Sequence, residues 1–384
     1  MVETKVFMHN DFLIYSYVKL VRDLIGCVYI HLLEGAMLVK YYGLFFNEKM
    51  QRFSPRVDFI SNGLFRMTQP KYLNDQGSEA RLWPYFNKFS PADYAWAKKE
   101  HDKVQINPSY IPSNEELENI FLKPCGLRYG ETFPHMLHLE GFKSMDEYDL
   151  AQLTMVAEKV NAFLVEALSC HLGVLSLSKS DVNELMWTHY ASNGQGLAVT
   201  FNEEHHFFKQ FPAKEVSYSK DKRASLTYYK GMMRMNGAPL KKFYAENFND
   251  SIGLMQTLNG NGIDIEDFTE RLLYSKDEKW DYEDEARILC PLIFCEESRG
   301  PLIQPEFASE LPDEQSNIFG SYSEVNLKRI PFDAFESIVL GYAISENDKA
   351  TVLELVGKNP SLSHLKIRVA KHNIYGMIEV TDLA

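Results

Sequence analysis

The 384 residues are 45% hydrophobic and 13% aromatic, which is enough to bury a sizeable core and too aromatic for a disordered chain. With 40 basic against 53 acidic side chains the net charge is −13, and no Lys/Arg-rich run occurs, so extended nucleic acid is a disfavoured partner while a small nucleotide-like ligand remains compatible. Five cysteines (Cys27, Cys125, Cys170, Cys290 and Cys295) without a CxxC pair argue against a disulfide framework; they read as buried free thiols in a reducing, cytoplasmic setting.

Residues 1–36 read as an N-terminal extension. The apolar stretch from Phe12 to Val39 carries Lys19, Arg22, Asp23, His31 and Glu34, too many charges for a membrane span, and Glu3 and Asp11 do not suit a secretory signal. A strand begins at Met37 and runs to Tyr42, which makes Met37 a candidate natural start. Asn62-Gly63 is a turn into a strand at 64–68, and a loop follows to Asp75. Residues 77–145, rich in Pro and aromatics, form a surface insertion with short helices. A helix is expected from Tyr148 to His171, where Leu153, Val156, Val160, Phe163, Leu164 and Leu168 make one broad apolar face. A strand at 173–178 precedes a helix from Asn183 to Ala191 capped by Ser180-Asp181, and Asn193-Gly194 ends it in a left-handed turn. Leu197, Val199 and Phe201 alternate as on a half-buried strand. Residues 220–275 read as a second, mostly helical and polar insertion. Strand character returns from Trp280 to Phe294, with a break expected at Pro291. A loop at 296–319, a strand at 336–341, a helix at 346–357 and a strand at 365–370 complete the chain. The sum is one α+β domain over 37–384, with a central mixed or antiparallel sheet, flanking helices and two long insertions.

Candidate chemistry concentrates where polar residues sit inside otherwise apolar segments. On a strand through Trp280–Ile288, Glu283, Glu285 and Arg287 share one face, opposite Trp280 and Tyr282, which should be buried. On a helix Glu283 and Arg287 would instead be a modest structural (i, i+4) pair. The strand face is either solvated or a carboxylate pair braced by an arginine. In the second case Glu285 stabilises positive charge on a sugar as its glycosidic bond breaks. In Met186-Trp187-Thr188-His189-Tyr190 the aromatic and imidazole rings either complete a core helix or reach a ligand, with Trp187, His189 and Tyr190 as the ligand-binding candidates. Asn74 and Asp75 are a local turn or a polar clamp on that ligand. Tyr42 on the opening strand completes the set. His135 and His138 lack a third ligand at useful spacing, so no metal site is assigned, and His205-His206 reads as a surface pair. No GxGxxG, GxxxxGK[ST], HExxH or GxSxG occurs, which argues against the enzymes those motifs mark.

Four segments carry a family resemblance: Leu38–Tyr42, Asn74-Asp75, Leu185–Ala191 running into the strand that ends at Phe201, and Lys279–Ile288. Val339-Leu340-Gly341 also fits. Together they resemble the bacterial domain of unknown function 2971 over about residues 37–375, with Gln76 standing where that family has proline. The layout is loosely similar to ADP-ribosyltransferase-like domains, which implies NAD as a substrate and glycosidic bond chemistry, although Lys40-Tyr41-Tyr42 stands where such enzymes often carry His or Arg. Two alternatives stay open. One is a non-catalytic binding or sensing module in defence or stress response. The other is a metal-dependent nuclease using Asp281, Glu283 and Glu285 with Arg287.

Overall fold

A computed structural model describes residues 37–48, 51–75, 77–240, 262–305 and 321–383. The N-terminal extension and Gln76 lie outside the described residues.

Eight strands make the main sheet: β1 Leu38–Tyr42, β2 Leu172–Ser178, β3 Leu197–Phe201, β4 Lys214–Glu215, β5 Glu285–Pro291, β6 Phe335–Leu340, β7 Lys366–His372 and β8 Ile378–Asp382. Their order is β8-β7-β6-β3-β1-β2-β5-β4, antiparallel except for the β6–β7 pair. The fold is α+β, as the alternation of patterns predicts. β3 is buried along its whole length rather than half-buried. Leu197, Val199 and Phe201 enter one core with Phe65, Phe335 and Val352, while Ala198 enters a second core with Val39 and Trp187. Both faces are covered, so strict alternation is lost.

Around this sheet, Leu64–Met67 pairs with Tyr322–Arg329 and that strand with Glu297–Ile303. The last two fall in or beside the stretch read as a loop. Leu44–Asn47 and Arg52–Pro55 form a hairpin. Helix α1, Met145–Ser169, is capped by Ser144, whose side chain accepts from the Glu147 amide. Its Leu153, Val156, Val160 and Leu164 pack into a separate core. Helix α2, Glu184–His189, is shorter than expected and is capped by Asn183, not by Ser180 or Asp181. Asp181 instead pairs with Arg368 at 3.0 Å. The left-handed turn after α2 is present, with positive φ at Ser192, Asn193 and Gly194. Helix α3, Glu346–Lys358, follows β6.

The second insertion departs most from its sequence reading. Its first part is β-structure: Ser225–Tyr229, Met232–Met235 and Ala238–Pro239. Trp83–Phe86 of the first insertion pairs with Ser225–Tyr229 in parallel, so the two insertions share one sheet. The polar composition misleads because its polar groups are buried in pairs: Thr227 donates to Asp93 at 2.6 Å, and Arg234 meets Asp93 at 3.2 Å. Ile265–Leu273 is helical, and 241–261 lies outside the described residues.

Of the four cysteines among the described residues, Cys290 is buried, Cys170 and Cys295 are half-buried and Cys125 is exposed, all as free thiols. Among the described residues no helix is long and apolar enough to cross a membrane.

Candidate functional site

β1 and β2 meet at a single registered pair, Val39 with Ser178, and diverge beyond it. The divergence frees backbone groups that something else must satisfy. Thr68 bridges Val174 in both directions at 2.8 Å, and the Lys40 ammonium donates to the Ser176 carbonyl at 2.8 Å. Between the splayed strands opens a cavity of about 320 Å³. Its walls present the carboxylates Glu79, Glu283 and Glu285, the cations Lys40, Arg66 and Lys276, and the polar tips of Asn74 and Tyr190.

Glu283 and Glu285 reach this wall by different routes. The strand expected through Trp280–Ile288 is absent from its first half. Glu278–Glu283 is a turn of 3₁₀ helix, Asp284 takes a left-handed φ of 42°, and β5 begins only at Glu285. Local capping explains this, since Asp277 accepts from the Lys279 amide and starts the helical turn. Trp280 and Tyr282 are consequently half-buried rather than buried. Glu285 and Arg287 do share a strand face, and Pro291 ends the strand where a missing donor requires it.

The buried charges form one network. Arg287 holds Glu285 in a fork, Nε to Oε1 at 2.7 Å and Nη2 to Oε2 at 3.0 Å, and it also contacts Glu79 and the Leu273 carbonyl. Lys276 donates to Glu283 at 2.6 Å and to Glu285 at 3.2 Å. Tyr190 donates to the other Glu283 oxygen at 2.5 Å and accepts from Asn74 at 3.2 Å. Burial alone would raise the Glu285 carboxyl, but the Arg287 guanidinium and Lys276 hold it down to about 2. Burial and the neighbouring Glu283 raise the Tyr190 phenol, which stays protonated as a donor. Burial lowers Lys40 to about 8 against the pull of Glu285 and Glu283, so its ammonium sits close to its titration point.

Asn74, Tyr190, Glu283 and Glu285 therefore converge on one cavity. Asp75 and Arg287 stand behind it: Asp75 accepts from the Trp280 indole at 3.0 Å, and its amide donates to Glu79 at 2.9 Å. Three candidates fall elsewhere. Tyr42 stacks on Phe59, with ring centroids 4.9 Å apart, and lines a neighbouring cavity. Trp187 is wholly buried, its indole donating to the Asp181 carbonyl at 2.7 Å. His189 is exposed beside the Tyr282 ring. The sequence reading missed Glu79, Lys276 and Arg66. Lys40 stands in plain view on the opening strand, a single charge among apolar and aromatic residues.

The family described as "Protein of unknown function (DUF2971)" matches residues 186–288. This stretch is similar to that family. It runs from α2 to the middle of β5 and includes Tyr190, Lys276, Glu283, Glu285 and Arg287. Asn74, Lys40 and Glu79 lie outside it. No curated protein and no solved structure matches the chain.

Proposed function

We propose that the protein is an enzyme acting on NAD or a related nucleotide, breaking the bond between ribose and base in the cavity between β1 and β2. The observation that carries this reading is a buried carboxylate pair, Glu285 held ionised by its cations, beside a protonated tyrosine in a polar cavity sized for a sugar. In the reaction the N-glycosidic bond breaks and neutral nicotinamide leaves with the bonding pair. Water adds to the ribosyl cation and releases its proton to solvent. Glu283, held by Tyr190 and Lys276, accepts hydrogen bonds from ribose hydroxyls, and the fixed negative charge of Glu285 favours the cation. The loose similarity to ADP-ribosyltransferase-like layouts agrees with a cavity bordered by the opening strand and by a glutamate on a later one, with one strand between them.

The test is incubation of the purified chain with NAD and chromatography for nicotinamide. Release by the wild-type protein, reduced on the order of a hundredfold by Glu283→Gln, supports the reading. Absence of release at any protein concentration rejects it. A binding module without chemistry is the second reading. It is favoured by the pairing of each wall carboxylate with Lys276 or Arg287, which leaves the network satisfied without a substrate. For the nuclease reading, Asp281 is exposed and is not among the residues lining the cavity, and Glu283 and Glu285 are already engaged by cations.

A further inference from the structure

A second cavity of about 540 Å³ lies beside the first, between β1, the hairpin at 44–55 and the strands Glu297–Ile303 and Tyr322–Arg329. The two share Lys40, Tyr41, Arg66 and Thr68 in their walls. Four cations from separate parts of the chain face the second cavity, Lys40, Arg56, Arg66 and Arg299, against one carboxylate, Asp58. Except for Arg299, their existing partners are few or weak. Arg66 Nε is buried without a hydrogen-bond partner, and its Nη2 reaches the Glu324 carbonyl only at 3.4 Å. Arg56 rests over the Phe45 ring at 5.4 Å. Arg299 is held by Glu297 at 2.6 Å, and Lys40 donates only to a neutral carbonyl at 2.8 Å.

Gathered like charges repel unless an anion sits among them, and a buried guanidinium nitrogen without an acceptor is costly. Planar guanidinium groups from different directions match the tetrahedral oxygens of a phosphate. The first cavity offers the opposite chemistry, carboxylates that accept from hydroxyls. We propose that the second cavity is the anion subsite of the same ligand. The substrate is then a phosphorylated nucleoside, with its sugar at Glu283 and its phosphates among Lys40, Arg56, Arg66 and Arg299. This rests on the nucleotide reading above and adds where the charge of the ligand must lie.

Titration calorimetry of the full chain with inorganic pyrophosphate, ADP and adenosine tests it. Arg56→Ala combined with Arg299→Ala changes two exposed side chains and leaves the fold intact. Pyrophosphate and ADP should bind the wild type and weaken on the order of a hundredfold in the double variant, about tenfold per arginine, while adenosine binding stays constant. Pyrophosphate that fails to bind, or binds both proteins equally, overturns the subsite. Pyrophosphate binding lost in the double variant, in a protein that releases no nicotinamide from NAD, supports the subsite and rejects only the glycosidic reading. NAD cleavage without pyrophosphate binding does the reverse.

Discussion

Replacing Glu285 by glutamine removes one charge from a closed set. Glu285 is 3% exposed, and its two oxygens receive Arg287 Nε, Arg287 Nη2 and Lys276 Nζ at 2.7, 3.0 and 3.2 Å. The amide nitrogen of glutamine donates, so one of the positions that accepted now faces an N–H, and a buried cation loses its counter-charge. The magnitude follows from the carboxyl's shift. Held at about 2 against an ordinary 4.5, Glu285 contributes about 3 kcal/mol of stability, at 1.36 kcal/mol per unit of pKa. Removing one partner of a buried pair costs about 3–5 kcal/mol, and Glu79, which stays beside Arg287 and Lys276, places this case at the lower end. The sign with pH is fixed by the direction of the shift. A depressed carboxyl stabilises fully above its unfolded pKa and loses that contribution as pH falls through the folded one. Urea denaturation followed by circular dichroism should give Glu285→Gln a stability about 3 kcal/mol below wild type at neutral pH, with the gap closing between about pH 4.5 and 2. Equal midpoints at neutral pH would refute the claim that the network is structural.

Tyr190→Phe removes the donor to Glu283 and should destabilise by about 1–3 kcal/mol while weakening nucleoside binding, read by thermal shift and calorimetry; unchanged values for both would place Glu283 outside the site. Lys40, lowered to about 8, should lose its charge as pH rises through that value, so wild-type pyrophosphate affinity should fall between about pH 7 and 9, and a Lys40→Met variant should show a flat profile over that range. Gly196→Ala drives a Cβ into the Tyr42 carbonyl, with Ala191 O at 3.1 Å on the other side, and should cost about 2–4 kcal/mol; a melting temperature within a degree of wild type would contradict that packing.

Much of the main sheet was legible because its strands are short apolar runs bounded by turn residues. β1, β2, β3 and β6 fall within a residue or so of their expected bounds, and the left-handed turn at Asn193-Gly194 is marked by residues that tolerate it. What failed has a common cause. Ser225–Met235 looked like polar helix because Thr227 and Arg234 are paired in the interior with Asp93, a residue more than a hundred positions away. Trp280–Glu283 alternates like a strand, but the cap at Asp277 turns it into a helical segment. In the site, Glu283, Glu285 and Tyr190 are legible as polar residues within apolar segments, and Asn74 as a polar residue in the loop after a strand. Glu79 and Lys276 were not, since each sits in an irregular stretch and acquires its role only through contact with Arg287 or Glu283. Trp187 and His189 show the converse: the same short helix supplies a core ring, an exposed imidazole and, one residue later, the phenol that meets the cavity.

The most direct measurement is a crystal structure of the full chain grown with NAD or its cleavage product ADP-ribose. The account predicts density for the ribose within hydrogen-bond reach of Glu283 and Tyr190, and for the diphosphate among Lys40, Arg56 and Arg66. Ligand bound elsewhere on the molecule, or both cavities empty at saturating ligand, would contradict it.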